Sequence, residues 1–195
     1  MKRLYAAAAI SVALLLAGCL PVTSETPVGT TTGFRNDNAL YGAWKGRMED
    51  EKTETYFHFL PDKDGSITAV LVSAQGGKED AGWMTFALRT ATLGTNRIMN
   101  AVEATDNGKP PEDAMKGANI PLLYTISNGR KLTLYLLDED KAKDAIKAGK
   151  IAGTIEAGNF GDVKITANAG ALDAFMATPE AAKLFKAFIV LKKVE

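Results

Sequence analysis

The chain has 195 residues, 46% of them hydrophobic, with 23 basic against 23 acidic side chains. That is enough apolar material for one domain with a real core, and too much for a disordered chain. The formal charge of zero and the scattered basic residues exclude the strong positive field that nucleic-acid binding needs, so no nucleic-acid partner is expected.

The chain starts with a basic pair, Lys2-Arg3, and an uncharged, mostly apolar run from Leu4 to Leu16. Small residues, Ala17 and Gly18, then lead into Cys19, the single cysteine. The run falls short of the about 20 apolar residues that a membrane-spanning helix needs. A positive start, a short apolar centre and a small-residue exit read as a cleaved secretory segment over residues 1–18. The competing reading, a retained anchor helix, conflicts with Pro21 and the Thr/Ser/Gly-rich stretch that follow at once. A lone cysteine in an exported chain has no internal disulfide partner, so it is a free thiol or a modified one.

Leu16-Ala17-Gly18-Cys19 resembles the lipobox of bacterial lipoproteins. That resemblance implies cleavage before Cys19, a diacylglycerol on its thiol and a third acyl chain on its amine. Each buried CH₂ contributes about 0.8 kcal/mol, so several such chains (palmitate-like) hold a protein on a membrane. Leu20, rather than Asp, follows the cysteine, and by the same resemblance this leans to the outer membrane, facing the periplasm of the cell envelope. Cleavage would also remove Lys2 and Arg3, taking the basic count from 23 to 21 against 23 acidic and leaving the mature chain near −2.

Residues 19–38, the acylated cysteine and a Thr/Pro/Gly/Ser-rich stretch without apolar periodicity, read as a flexible tether. The folded domain is expected over residues 39–195. Strands are predicted at Tyr41–Glu49, Thr55–Leu60, Ser66–Ser73, Trp83–Leu93 and Arg97–Glu103, separated by turns such as Asp64-Gly65 and Gly94-Thr95-Asn96. Ala104–Pro121 is the longest irregular stretch, of the kind that often carries function. Asn128-Gly129, between Leu122–Ser127 and Lys131–Leu137, is the strongest hairpin signal. A helix is predicted at Glu139–Ala148, with Gly149 placed to stop it. Ile151–Ala157 and Asp162–Ala167 read as strands around Gly158-Asn159. A short helix follows with Leu172, Phe175 and Met176 on one face. Thr178-Pro179-Glu180 starts another helix, and Phe188–Val194 is the last strand. The fold class expected is therefore mostly β: an antiparallel meander barrel of about 8–10 strands with two or three short late helices, the last strand pairing back to the first.

Leu40-Tyr41-Gly42-Ala43-Trp44 opens the first strand as Leu-x-Gly-x-Trp. It is similar to the Gly-x-Trp signature of lipocalins and related calycins. By that resemblance Leu40, Gly42 and Trp44 form a barrel-end motif, with Trp44 closing one end beneath a basic residue of the last strand. Lys192 or Lys193 takes the place where the family more often has Arg.

Chemistry-bearing residues are sparse. His58 is the only histidine, and alternation puts it opposite Phe57 and Phe59, on the outer face. One histidine and one acylated cysteine cannot build a zinc site. Asp62-Lys63-Asp64-Gly65-Ser66-Ile67 resembles the middle of an EF-hand loop, but the first and twelfth ligand positions fall on Leu60 and Leu71. The acids Asp50, Glu51, Glu79, Asp80, Glu112, Asp113, Asp138, Glu139 and Asp140 gather at turns and helix starts, the usual solvated placement. No nucleophile-elbow, P-loop or dinucleotide motif occurs. No catalytic residue, metal or cofactor is expected, and the chain does not read as an enzyme.

Two functions from different classes remain. One is a lipid-anchored barrel, held on the membrane through acyl chains on Cys19, that takes an apolar or amphipathic small ligand. The other is a protein–protein module, an envelope assembly factor or enzyme inhibitor, with a filled barrel and a binding loop at Ala104–Pro121. An interior cavity of roughly several hundred cubic ångströms favours the first and its absence the second.

Overall fold

Strands form where apolar and polar residues alternate, and they end where turn residues interrupt the pattern. The computed structural model describes residues 21–48, 54–74, 82–111, 113, 115–156 and 163–194. It contains strands β1 (Thr23–Ser24), β2 (Gly42–Met48), β3 (Glu54–Pro61), β4 (Ile67–Ala74), β5 (Gly82–Leu93), β6 (Asn96–Asp106), β7 (Ile120–Ser127) and β8 (Lys131–Leu137). Helix α1 (Glu139–Lys147), β9 (Gly153–Ile155), β10 (Val163–Ile165), α2 (Ala169–Met176), α3 (Pro179–Ala182) and β11 (Phe185–Lys193) follow. The predicted leader, with Leu16, Ala17, Gly18 and Cys19, lies outside the described residues, as do the acids at 49–51, 79, 80 and 112 and the turn predicted at Gly158-Asn159.

Eight strands close into one antiparallel barrel in the order β11-β2-β3-β4-β5-β6-β7-β8, with β8 pairing β11. The expected mostly-β meander with a few late helices is what the chain adopts. The last strand pairs the first, with Lys193 opposite Trp44 and Leu191 opposite Gly46. Gly46 is required at that seam: a Cβ there would lie 2.3 Å from the Val190 carbonyl oxygen. Asn128 and Gly129 both take positive φ, 53° and 65°, the conformation a tight hairpin turn demands.

Three expectations are corrected. The two strands predicted between the first two helices, Ile151–Ala157 and Asp162–Ala167, do not join the meander. Among the described residues of that stretch only Gly153–Ile155 and Val163–Ile165 are extended, and they form a separate sheet in the order β1-β10-β9. Their apolar residues pack against helices instead: Val163, Ile165, Ala145, Leu172 and Met176 share a second core outside the barrel. The irregular stretch is also shorter than expected, because β6 runs on to Asp106 and β7 begins at Ile120.

The third correction concerns the flexible tether. Residues 21–38 carry no apolar period, yet they are strapped across the barrel wall. Val22 and Val28 are buried in the second core. Strand β1 runs parallel to β10. Asn100 accepts from the Val28 N–H (2.7 Å) and donates to its carbonyl (2.8 Å). Asp173 accepts from the N–H groups of Gly29 (2.6 Å) and Thr31 (2.8 Å) and from the Thr31 hydroxyl (2.5 Å). Residues 21–38 therefore belong to the packed domain together with those from 39 on. Distant side chains supply the partners that local periodicity would not reveal.

The barrel interior and the second core lie on opposite sides of one wall. Inside are Trp44, Phe57, Phe59, Leu71, Met84, Met99, Leu122 and Leu134. Outside, the helices, the small sheet and the strap cover Ala91, Leu93, Ile98 and Leu137 of β5, β6 and β8.

Candidate functional site

The two ends of the barrel differ in how the chain turns. At one end β3–β4, β5–β6 and β7–β8 are joined by short turns, and a 3₁₀ turn at Asn38–Leu40 leads into β2. Leu40, Gly42 and Trp44 lie at this end. Leu40 and Trp44 are completely buried. The Trp44 Nε1–H donates to the Leu40 carbonyl at 2.6 Å. Lys193, not Lys192, places its Nζ 5.1 Å from the centre of the Trp44 ring. Gly42, at φ +110°, has the backbone conformation that lets the chain enter β2 beside the Lys193 stem. Asp37 closes the same region: it pairs with Arg97 and accepts the Tyr124 hydroxyl at 2.8 Å, while the Arg97 guanidinium stacks 4.8 Å from the Tyr124 ring. Burial holds the Tyr124 phenol above its ordinary value, with Arg97 opposing, so it stays neutral and donates.

At the other end lie the Asp106 end of β6, the Ile120 start of β7 and the Leu137 end of β8, from which the helices and small sheet depart. Here the interior narrows to a cavity of about 90 Å³. Its inner wall is Phe57, Phe59, Leu71, Met84 and Met99; Phe86, Leu136 and Phe188, only partly covered, stand at the rim with Met115 and Pro21. Glu103, 7% exposed, is the one carboxylate among the described lining residues, and it is engaged in an interaction of its own. Pro21 and Met115 also belong to a neighbouring crevice of about 430 Å³, which is as polar as it is apolar. That crevice carries Glu25, Asp113, Lys116, Glu156 and Lys164. An apolar pouch therefore opens beside a polar, charged cleft across two shared residues.

The residues weighed for chemistry stay apart. His58 is exposed on the outer face between Ala43 and Val70. The Asp62–Ser66 stretch is a hairpin turn whose oxygens are used locally. Asp64 accepts from the Ser66 N–H (2.9 Å) and hydroxyl (2.5 Å), which holds its carboxyl below the ordinary range, and Asp62 accepts from Lys63 and Thr68. Among the described residues no three His, Cys, Asp or Glu side chains stand together as a metal site, and no helix is long and apolar enough to cross a membrane.

Comparison with known proteins found no match to a family model, a curated protein or a solved structure. The site thus rests on its own geometry. Sequence reasoning did not single out Pro21, Glu103 or Met115 as members of it. Met115 lies in the stretch marked as a functional loop, but nothing local tells a rim residue from a solvated one. Pro21 served only as a helix breaker.

Proposed function

We propose that this is a lipid-anchored, non-enzymatic protein of the bacterial cell envelope that binds an amphipathic small molecule at the barrel mouth. The observation that carries the reading is the junction of the two spaces at Pro21 and Met115. A ligand with a narrow apolar end and a polar head has a place for each. The interior, at about 90 Å³, is smaller than the roughly 300–1,000 Å³ of a pocket that engulfs a drug-sized ligand. A wholly apolar ligand enclosed in the barrel is therefore not favoured. The Trp44 plug under Lys193 supports the lipocalin-like reading; the three helices and second core outside the barrel are where the chain departs from it.

The small interior also supports the second reading, a filled barrel that binds a protein. A bare outer face is available for it: Tyr56, Val72 and Trp83 are exposed and stand in register across β3, β4 and β5. Native mass spectrometry of the protein purified from its own envelope separates the two. The expected result is an amphiphile at near-equal stoichiometry, free or carried on the chain itself, whose thermal stabilisation of the protein is lost in Ala101→Phe, which fills the cavity wall. A bare mass, with no thermal stabilisation by fatty acids, lysophospholipids or isoprenoids, would move the weight to protein binding.

Anchoring has its own test. Cys19→Ala is expected to abolish incorporation of a palmitate analogue fed to cells. Equal label on the variant and the natural chain would end the lipoprotein reading.

A further inference from the structure

We infer that the apolar cavity at the barrel mouth is the seat of one acyl chain carried by the protein's own Cys19. This rests on the lipid-anchored reading above and names the ligand's source. The position of Pro21 is the starting observation. Pro21 lies in the cavity wall. The strap that follows holds it there: Val22 is buried, Thr23 and Ser24 pair with Lys164 and Ile165, and the Ser24 N–H donates to the Asn119 carbonyl at 2.8 Å. The Asn119 side chain donates back to the Ser24 carbonyl at 3.2 Å.

Cys19 stands two residues before Pro21 in the sequence. Two residues of chain reach at most about 8 Å, whatever their conformation. An acyl chain attached there begins beside the mouth. The walls suit it. Apart from Glu103 they are hydrocarbon, aromatic or thioether, and Met84, Met99 and Met115 are unbranched side chains that adapt to a flexible occupant. The size suits it as well. An engineered cavity of about 150 Å³ takes a benzene ring. A space of about 90 Å³ is matched instead to the end of one linear chain. The lipobox resemblance supplies three chains, so one can be seated while the others stay in the bilayer.

Two consequences follow. With residues 21–38 strapped to the wall, no spacer separates barrel from bilayer, and the mouth faces the membrane. A free amphiphile must also compete with a tethered one, whose effective concentration over so short a link is of millimolar order.

The test uses the natural full-length protein. Cells are fed a fatty acid bearing a diazirine, and the protein is purified and placed in nanodiscs of unlabelled lipid. After irradiation, peptides are mapped by mass spectrometry, and the intact mass reports whether Cys19 is acylated. The expected result is a cross-link from the acyl chain to peptides containing Met84, Met99, Met115 or Phe188. An acylated Cys19 that cross-links only to nanodisc lipid, or to outer-face residues such as Val72 and Trp83, overturns this inference alone. In that case a co-purifying free amphiphile would still uphold the proposed function. An unmodified Cys19 overturns the inference and the anchoring together.

Discussion

Trp44→Ala is expected to lower the stability of the domain by about 3–5 kcal/mol, the usual cost of deleting a large buried aromatic side chain. Trp44 is completely buried and meets the interior core at the end closed by Leu40. Truncation would leave a cavity where the rigid barrel can collapse little, since its walls are tied by backbone ladders on both sides. It would also orphan the Leu40 carbonyl that accepts the indole N–H and remove the ring beneath Lys193. Trp44→Phe keeps most of the volume and should lose roughly 1–2 kcal/mol, the share of the hydrogen bond and the smaller ring. Urea denaturation followed by circular dichroism checks both. A midpoint for Trp44→Ala within error of the natural chain would mean that the residue does not plug the barrel.

The second large effect is expected at Asp173, a carboxylate 3% exposed in the middle of α2. Its two oxygens accept from Gly29, from the Thr31 N–H and from the Thr31 hydroxyl. Hydrogen bonds to a charged group contribute about 1.5–3 kcal/mol, and a buried donor left alone costs about 1–3. Thr31 is exposed and can turn to water, whereas the Gly29 N–H is buried and cannot. Asp173→Ala should therefore cost about 2–4 kcal/mol, chiefly through the strap. Asp173→Asn, which keeps one acceptor oxygen, should cost about half as much. Amide hydrogen exchange locates the effect: protection should fall first at residues 22–35 while the barrel strands hold. Uniform loss across the barrel, or none at the strap, would contradict the latch.

The barrel was legible in the sequence because its information is local. Phe57 and Phe59 alternating with Tyr56 and His58, or Asn128-Gly129 between two apolar runs, state strand and turn within a few residues. Leu40, Gly42 and Trp44 were legible for the same reason. The strap was not. Val28 is buried because Asn100 holds both of its backbone groups, and Gly29 because Asp173 waits for its N–H, and no window of the sequence contains both partners. The small sheet was misassigned for a related reason. A run such as Ile151–Ala157 reads as strand whether it pairs in a barrel or packs under a helix, and only the chain on either side decides. The site is the extreme case, since Pro21, Glu103 and Met115 meet only once the barrel has closed.

The order in which the strap's partners appear along the chain has a consequence for biogenesis. Asn100, Asn119, the β10 strand and Asp173 all lie well downstream of the residues they hold. The seam that shuts the barrel joins β2 to β11, the first and last long strands. Contacts of such wide sequence separation form late. While the polypeptide is emerging, its N-terminal stretch has nothing yet to bind. Any enzyme that acts on that end has an interval set by synthesis of the remaining chain. Once β11 closes the barrel and Asp173 takes up Gly29, the interval ends.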